Sequence, residues 1–174
     1  MIHYKKNRSK QDRPLVRPEV TPIDWLLEAL ALIGLLAFLG VMAFYFSKLP
    51  ETIPSHFDSA GNPDGFESKS SIWVLTGVSL FIYILMSFIN LIPQRFNFPV
   101  KITPQNALRQ YTLAMRMIRS LKVVLIWMFF YINLTTIRVS MHTASGLGVW
   151  FLPVSMGMVF GPIIVYMVFA MKKS

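Results

Sequence analysis

The chain of 174 residues contains no cysteine, which excludes disulfides, thiolate zinc sites and cysteine nucleophiles together. It is also poor in charge. Only 14% of its residues are charged, and the 8 acids are outnumbered by 17 lysines and arginines. With 54% hydrophobic residues and a mean hydropathy of +0.52, this is not the composition of a water-soluble domain. Motifs that would carry chemistry are missing as well: there is no H-E-x-x-H, no EF-hand spacing and no G-x-S-x-G. The expectation is a protein that is not an enzyme and that holds no cofactor.

The apolar residues that are present come in four blocks, residues 23–46, 72–92, 121–137 and 149–171. Each is close to the roughly 20 residues that cross a hydrocarbon core of about 30 Å. Lipid offers the backbone no water, so the expected fold is an all-α integral membrane protein with four transmembrane helices. Residues 1–22 form a basic tail ahead of the membrane domain, 23–174. Within that domain a turn-rich loop, 48–71, joins the first two helices, and a basic segment, 93–122, joins the second and third.

The net charge of +9 follows the helices in its distribution, which argues against nucleic acid as a partner. Fourteen basic residues fall in the tail, the 93–122 segment and the last residues, against Lys48, Lys69 and Arg138 in the other two connections. The positive-inside rule then predicts cytoplasmic termini and an outward-facing 48–71 loop in a cell membrane. The first apolar block is too long for a signal-peptide core and is expected to stay uncleaved. The basic tail and the basic segment are expected to rest on anionic lipid headgroups.

Taken in order, residues 1–21 suit a disordered tail. Thr21 can cap a helix that begins at Pro22, with Asp24 in the first turn, where the helix dipole favours an acid. Glu28 lies one turn further on, on the same face and inside the apolar block. A carboxylate there is expected to pair, as with a basic residue of the 93–122 segment, to serve a proton or cation, or to snorkel to the surface. Thr103 and Pro104 mark a helix start, from which either a surface helix or one long helix runs to about residue 141. In the last block Gly157 and Gly161 form G-x-x-x-G, expected to pack within the chain.

The one long polar stretch, Leu49 to Lys69, concentrates the candidate site residues His56, Asp58, Gly61, Asp64 and Lys69, together with Glu67. Residues 52–57 look β-like, and 58–61 and 62–65 read as consecutive turns, with Ile53, Phe57 and Phe66 as apolar pins on the helix ends. His56 and Asp58, with His142 from the other outer connection, are candidate metal ligands without a specific motif. The alternative is that the aspartates satisfy turn amides, His56 bonds within the loop and Lys69 pairs with one of its carboxylates.

Leu49-Pro50, Ile53-Pro54, His56, Gly61, Asp64 and Ser68-Lys69 together resemble the LP-x-x-IP-x-H…G…D…K signature of an uncharacterised bacterial membrane domain. That domain also forms the N-terminal part of SdpI-type immunity proteins, and the stretch from Lys101 to Tyr111 is similar to the segment that follows it in stand-alone members. The resemblance implies a bacterial membrane protein whose family this loop defines. The compact polar loop, turned outward beside a basic cytoplasmic surface, is expected to recognise a peptide or envelope component, for immunity or signalling, in the inner membrane. Two other functions stay open: a transporter, or an accessory subunit of one, using Asp24 and Glu28, and a membrane metalloenzyme.

Overall fold

A computed structural model describes residues 13–172 of the chain. Helix α1, Pro22–Phe46, starts where expected, and its 25 residues run without interruption. It is followed by two strands, β1 (Thr52–Phe57) and β2 (Pro63–Ser68), that pair antiparallel. Helix α2, Ile72–Ile89, follows a short 3-10 turn, and α3, Ala107–Ser140, is a single helix of 34 residues. Helix α4, Phe151–Met171, completes the described fold. All four helices are long and apolar enough to cross a membrane, which is consistent with a multi-pass membrane protein.

The chain is therefore not all-α: the polar segment is a β-hairpin rather than a string of turns. Its tight turn spans Asp58 to Asn62, closed by Asp58 N–H to Asn62 O at 2.8 Å and Gly61 N–H to Asp58 O at 2.9 Å. Gly61 supplies the one positive φ that this turn needs, at 85°. The expected second turn at 62–65 is strand from Pro63 on instead, because residues 63–65 pair with β1. Ile53 faces Glu67 and Pro54 faces Phe66 across the pair.

Other boundaries move for local reasons. Helix α2 ends at Ile89 rather than Ile92, because Ile92 precedes Pro93 and leaves the helical region at φ −128°. Helix α3 starts at Ala107, three residues after Pro104: Thr103 and Asn106 bond each other reciprocally, with Thr103 N–H to Asn106 Oδ1 at 2.8 Å, and make a separate turn first. At about 1.5 Å per residue the 34 residues of α3 span roughly 50 Å, so about two fifths of the helix exceeds a hydrocarbon core of about 30 Å.

The helices run up, down, up and down between a hairpin end and a basic end. Helices α1, α2 and α3 pack on one another, and α4 leans on α3. Gly34 leaves room for Trp127 of α3, since a Cβ there would lie 2.8 Å from its Nε1, which donates to Leu30 O. Ile53 pins the hairpin, fully buried with Phe38, Met42, Leu49, Ile72 and Ile137. Phe57 is half-buried, and Phe66, expected as a pin, is instead 59% exposed, because β2 is the strand turned away from the helices. Large apolar side chains such as Leu36, Phe44, Phe81 and Val165 point outward, a surface that lipid solvates better than water.

Helix α4 is fastened at its basic end by Tyr166 and Ala170, packed with Ala114. Gln110 Nε2 donates to Ala170 O at 2.9 Å and Arg109 Nη2 to Phe169 O at 2.6 Å, which satisfies carbonyls that the last turn leaves open. Gly157 and Gly161 face open space, contrary to the expected packing within the chain. Gly157 lies nine residues before Tyr166, half a rotation away on the helix, so the face that meets α3 cannot include it.

The expected disorder of the basic tail does not hold for its described part. Arg13 donates to Phe96 O at 2.6 Å and Gln94 O at 3.0 Å, and Tyr111 Oη donates to Pro14 O at 3.1 Å. Residues 1–12, with the rest of that expectation, lie outside the described residues.

Candidate functional site

At the basic end α1 presents Asp24 and Glu28 one turn apart, and α3 presents Arg116, Arg119 and Lys122 at intervals of three, which is one helix face. The two faces meet. Asp24 Oδ1 accepts from Arg119 Nη1 at 3.0 Å and Arg116 Nε at 3.2 Å. Its Oδ2 accepts from the Thr21 hydroxyl at 2.6 Å and the Thr21 N–H at 2.9 Å. Glu28 Oε1 accepts from Arg119 Nε at 3.1 Å, and Oε2 from Lys122 Nζ at 2.5 Å. Lys122 also donates to Ser87 Oγ of α2 at 3.0 Å and lies 4.7 Å from the Tyr83 ring centroid.

Buried charge of this kind persists only when paired and hydrogen-bonded. Lys122 is completely buried and Asp24 is 1% exposed, and each has its charge opposed. The sequence expectation that Arg119 and Lys122 face lipid headgroups is corrected here: α3 is continuous, and its rotation turns them into the bundle. The pairing of Glu28 with basic residues of the 93–122 segment is as expected, and the spacing of Arg119 and Lys122 against the acids at 24 and 28 says which ones. Asn90, just past the end of α2, is also buried, and its side-chain amide bonds to no described residue.

At the hairpin end the residues singled out from the sequence come together in pairs. His56 Nδ1 lies 2.5 Å from Asp64 Oδ1 on the exposed face, with the rings and carboxyls open to solvent. Lys69 Nζ donates to Glu51 Oε1 at 2.8 Å. Asp58 Oδ1 accepts from the N–H groups of Asn62, at 2.8 Å, and Ala60, at 2.9 Å. These bonds, the Asn62 N–H foremost, hold its carboxyl below the usual 3.8. Asp58 is thus occupied by its own turn. His142 sits in the α3–α4 connection with φ 58°. Among the described residues no three His, Asp or Glu side chains converge as metal ligands.

Gly61 ties the hairpin to that connection. Its carbonyl accepts from Leu147 N–H at 2.8 Å, and a Cβ on it would fall 2.6 Å from Gly148 N. Tyr131 donates from its hydroxyl to Leu147 O at 3.3 Å and stacks on Phe151. Below this roof α3 and α4 part, leaving an apolar groove of about 700 Å³ lined by Trp127, Met128, Tyr131, Val154 and Met158 among others. Sequence reasoning missed the groove, which depends on how α4 leans. Asn133, Thr135 and Thr136 point inward, and Asn133 Nδ2 donates to Ile72 O at 2.9 Å and to Thr76 Oγ1 at 3.2 Å beneath the hairpin.

No curated protein and no solved structure matches the chain. Residues 32–80, from the middle of α1 through the hairpin into α2, match the family model described as a domain of unknown function (DUF1648).

Proposed function

We propose that this is a small multi-pass membrane protein, not an enzyme, whose hairpin faces outward and which binds a cationic amphipathic peptide from the envelope side, for immunity or signalling. The observation that carries the reading is the coupling of a locally acidic hairpin to the roof of an apolar groove through Gly61 and Leu147. In a chain of net charge +9, the stretch from Lys48 to Lys69 holds four acids against two lysines. A hairpin of net negative charge, joined at its turn to the roof of an apolar groove, complements a peptide that is cationic on one face and apolar on the other. The resemblance of the same stretch to the N-terminal part of SdpI-type immunity proteins supports a protective role. Transport through Asp24 and Glu28 has less support, because both carboxylates are engaged by α3.

The test is photocrosslinking of the full chain in nanodiscs, with a photoreactive residue at Phe66 or Val154. A cationic amphipathic helix should crosslink at both positions, and D64K/E67K should weaken the Phe66 crosslink at least fivefold, on the order of 1 kcal/mol. Equal labelling by an anionic peptide of the same apolar face, or labelling unchanged by the charge reversal, would overturn the reading.

A further inference from the structure

A second groove between α3 and α4, at the basic end, has a volume of about 280 Å³ and is lined by Leu113, Arg116, Met117, Ser120, Val165 and Tyr166 among others. Its walls are almost wholly apolar, and three polar residues are among those that line it. Arg116 commits Nε to Asp24 and Nη2 to Thr21, and its Nη1 bonds to no described residue. At 36% its side chain is the most open of the three network cations. The hydroxyls of Ser120 and Tyr166 make no hydrogen bond with a described residue, whereas Thr112 and Ser140 on the same helix close onto the carbonyl four residues back. The network pairs two carboxylates with three cations, and the surplus positive charge is nearest solvent at Arg116.

An apolar groove along membrane-length helices, lined also by a cation and two hydroxyls without a bond to a described residue, matches the chemistry of a lipid phosphate with an acyl chain. We propose that this groove holds one anionic phospholipid. Its phosphate accepts from Arg116 Nη1 and from the hydroxyls of Ser120 and Tyr166, and one acyl chain lies along Met117 and Val165. An anionic headgroup is favoured over a zwitterionic one because Asp24 and Glu28, the acids of the network, are already engaged and none is left for a choline.

Native mass spectrometry of the purified full chain tests this, with phosphatidylglycerol and phosphatidylcholine of identical acyl chains. Phosphatidylglycerol should be retained about fivefold more, the factor that one basic residue near a surface supplies. R116Q should remove that preference, and S120A/Y166F should reduce it without breaking an ion pair. V165W, at the exposed rim, should lower retention of both lipids while helicity and melting stay unchanged. Equal retention of the two lipids by the unaltered chain, or a preference that survives R116Q and V165W, would overturn the proposal. Displacement of the lipid by millimolar inorganic phosphate would assign the polar groups to a free anion and overturn it too.

Discussion

Lys122 and Glu28 make the closest contact of the buried ion network: Nζ of a lysine that solvent does not reach lies 2.5 Å from Oε2 of the glutamate. The contact joins α3 to α1 inside the bundle, where an unpaired charge is costly. It fixes the rotation of α3 about its axis, and the alignment of the two helices follows from it.

Removing one side of that pair is expected to be worse than removing both. Glu28→Gln leaves Lys122 charged and buried with Ser87 as its remaining hydrogen-bond partner, at a cost of about 3 kcal/mol. The double variant E28Q/K122M should recover most of that loss, as read by thermal unfolding in detergent. A double variant no more stable than E28Q would mean that the ions contribute independently.

Gly61→Ala should loosen the hairpin from the α3–α4 connection. The substitution meets both a φ of 85° and a Gly148 N only 2.6 Å from the new Cβ, so the expected cost is about 1–3 kcal/mol. Hydrogen exchange at the Leu147 amide, bonded to Gly61 O, should accelerate in step. Gly40→Ala, which opens onto free space in α1, should be neutral or stabilising by up to about 1 kcal/mol.

The hairpin turn should weaken in acid. The carboxyl of Asp58 is held below its usual 3.8 by the Asn62 N–H first, then by the other bonds of the turn. A depressed folded value means that its contribution is complete above the unfolded value and is lost as pH falls through the folded one. Exchange protection of the Ala60 and Asn62 amides should therefore decline below about pH 4. In Asp58→Asn that protection should no longer depend on pH over the same range.

Helix α4 should swing when its last turn is uncapped. Arg109→Ala with Gln110→Ala frees the carbonyls of Phe169, Ala170 and Lys172, at about 0.5–1.5 kcal/mol per bond. Because the chain has no cysteine, spin labels at Met128→Cys and Met158→Cys report the width of the hairpin-end groove without background. The distance distribution should broaden in the double alanine variant. An unchanged distribution would show that packing around Tyr166 holds α4 alone.

How much of this was legible beforehand differs from element to element. The cap at Thr21, the strand-like 52–57 and the turn at Asp58 were all readable, because each depends on a few neighbouring residues. The 62–65 stretch was misread because Gly65 and Asp64 carry turn chemistry, and only the pairing with β1 holds them in a strand. Phe66 was misread because alternation says which residues share a face, not which face meets the helices.

The four apolar runs and their lengths settle, without any structure, that this chain has membrane-length helices, since crossing a hydrocarbon layer is a matter of consecutive residues. The absence of cysteine likewise settles that the polar hairpin holds together without a disulfide. What only the folded chain decides is direction: that Arg119 and Lys122 turn inward to Asp24 and Glu28, and that α4 parts from α3 to leave two grooves. Those depend on the rotation and tilt of helices whose partners lie some ninety residues apart in sequence. No local pattern encodes an angle of that kind, because it is set by burying every charge against its opposite at once.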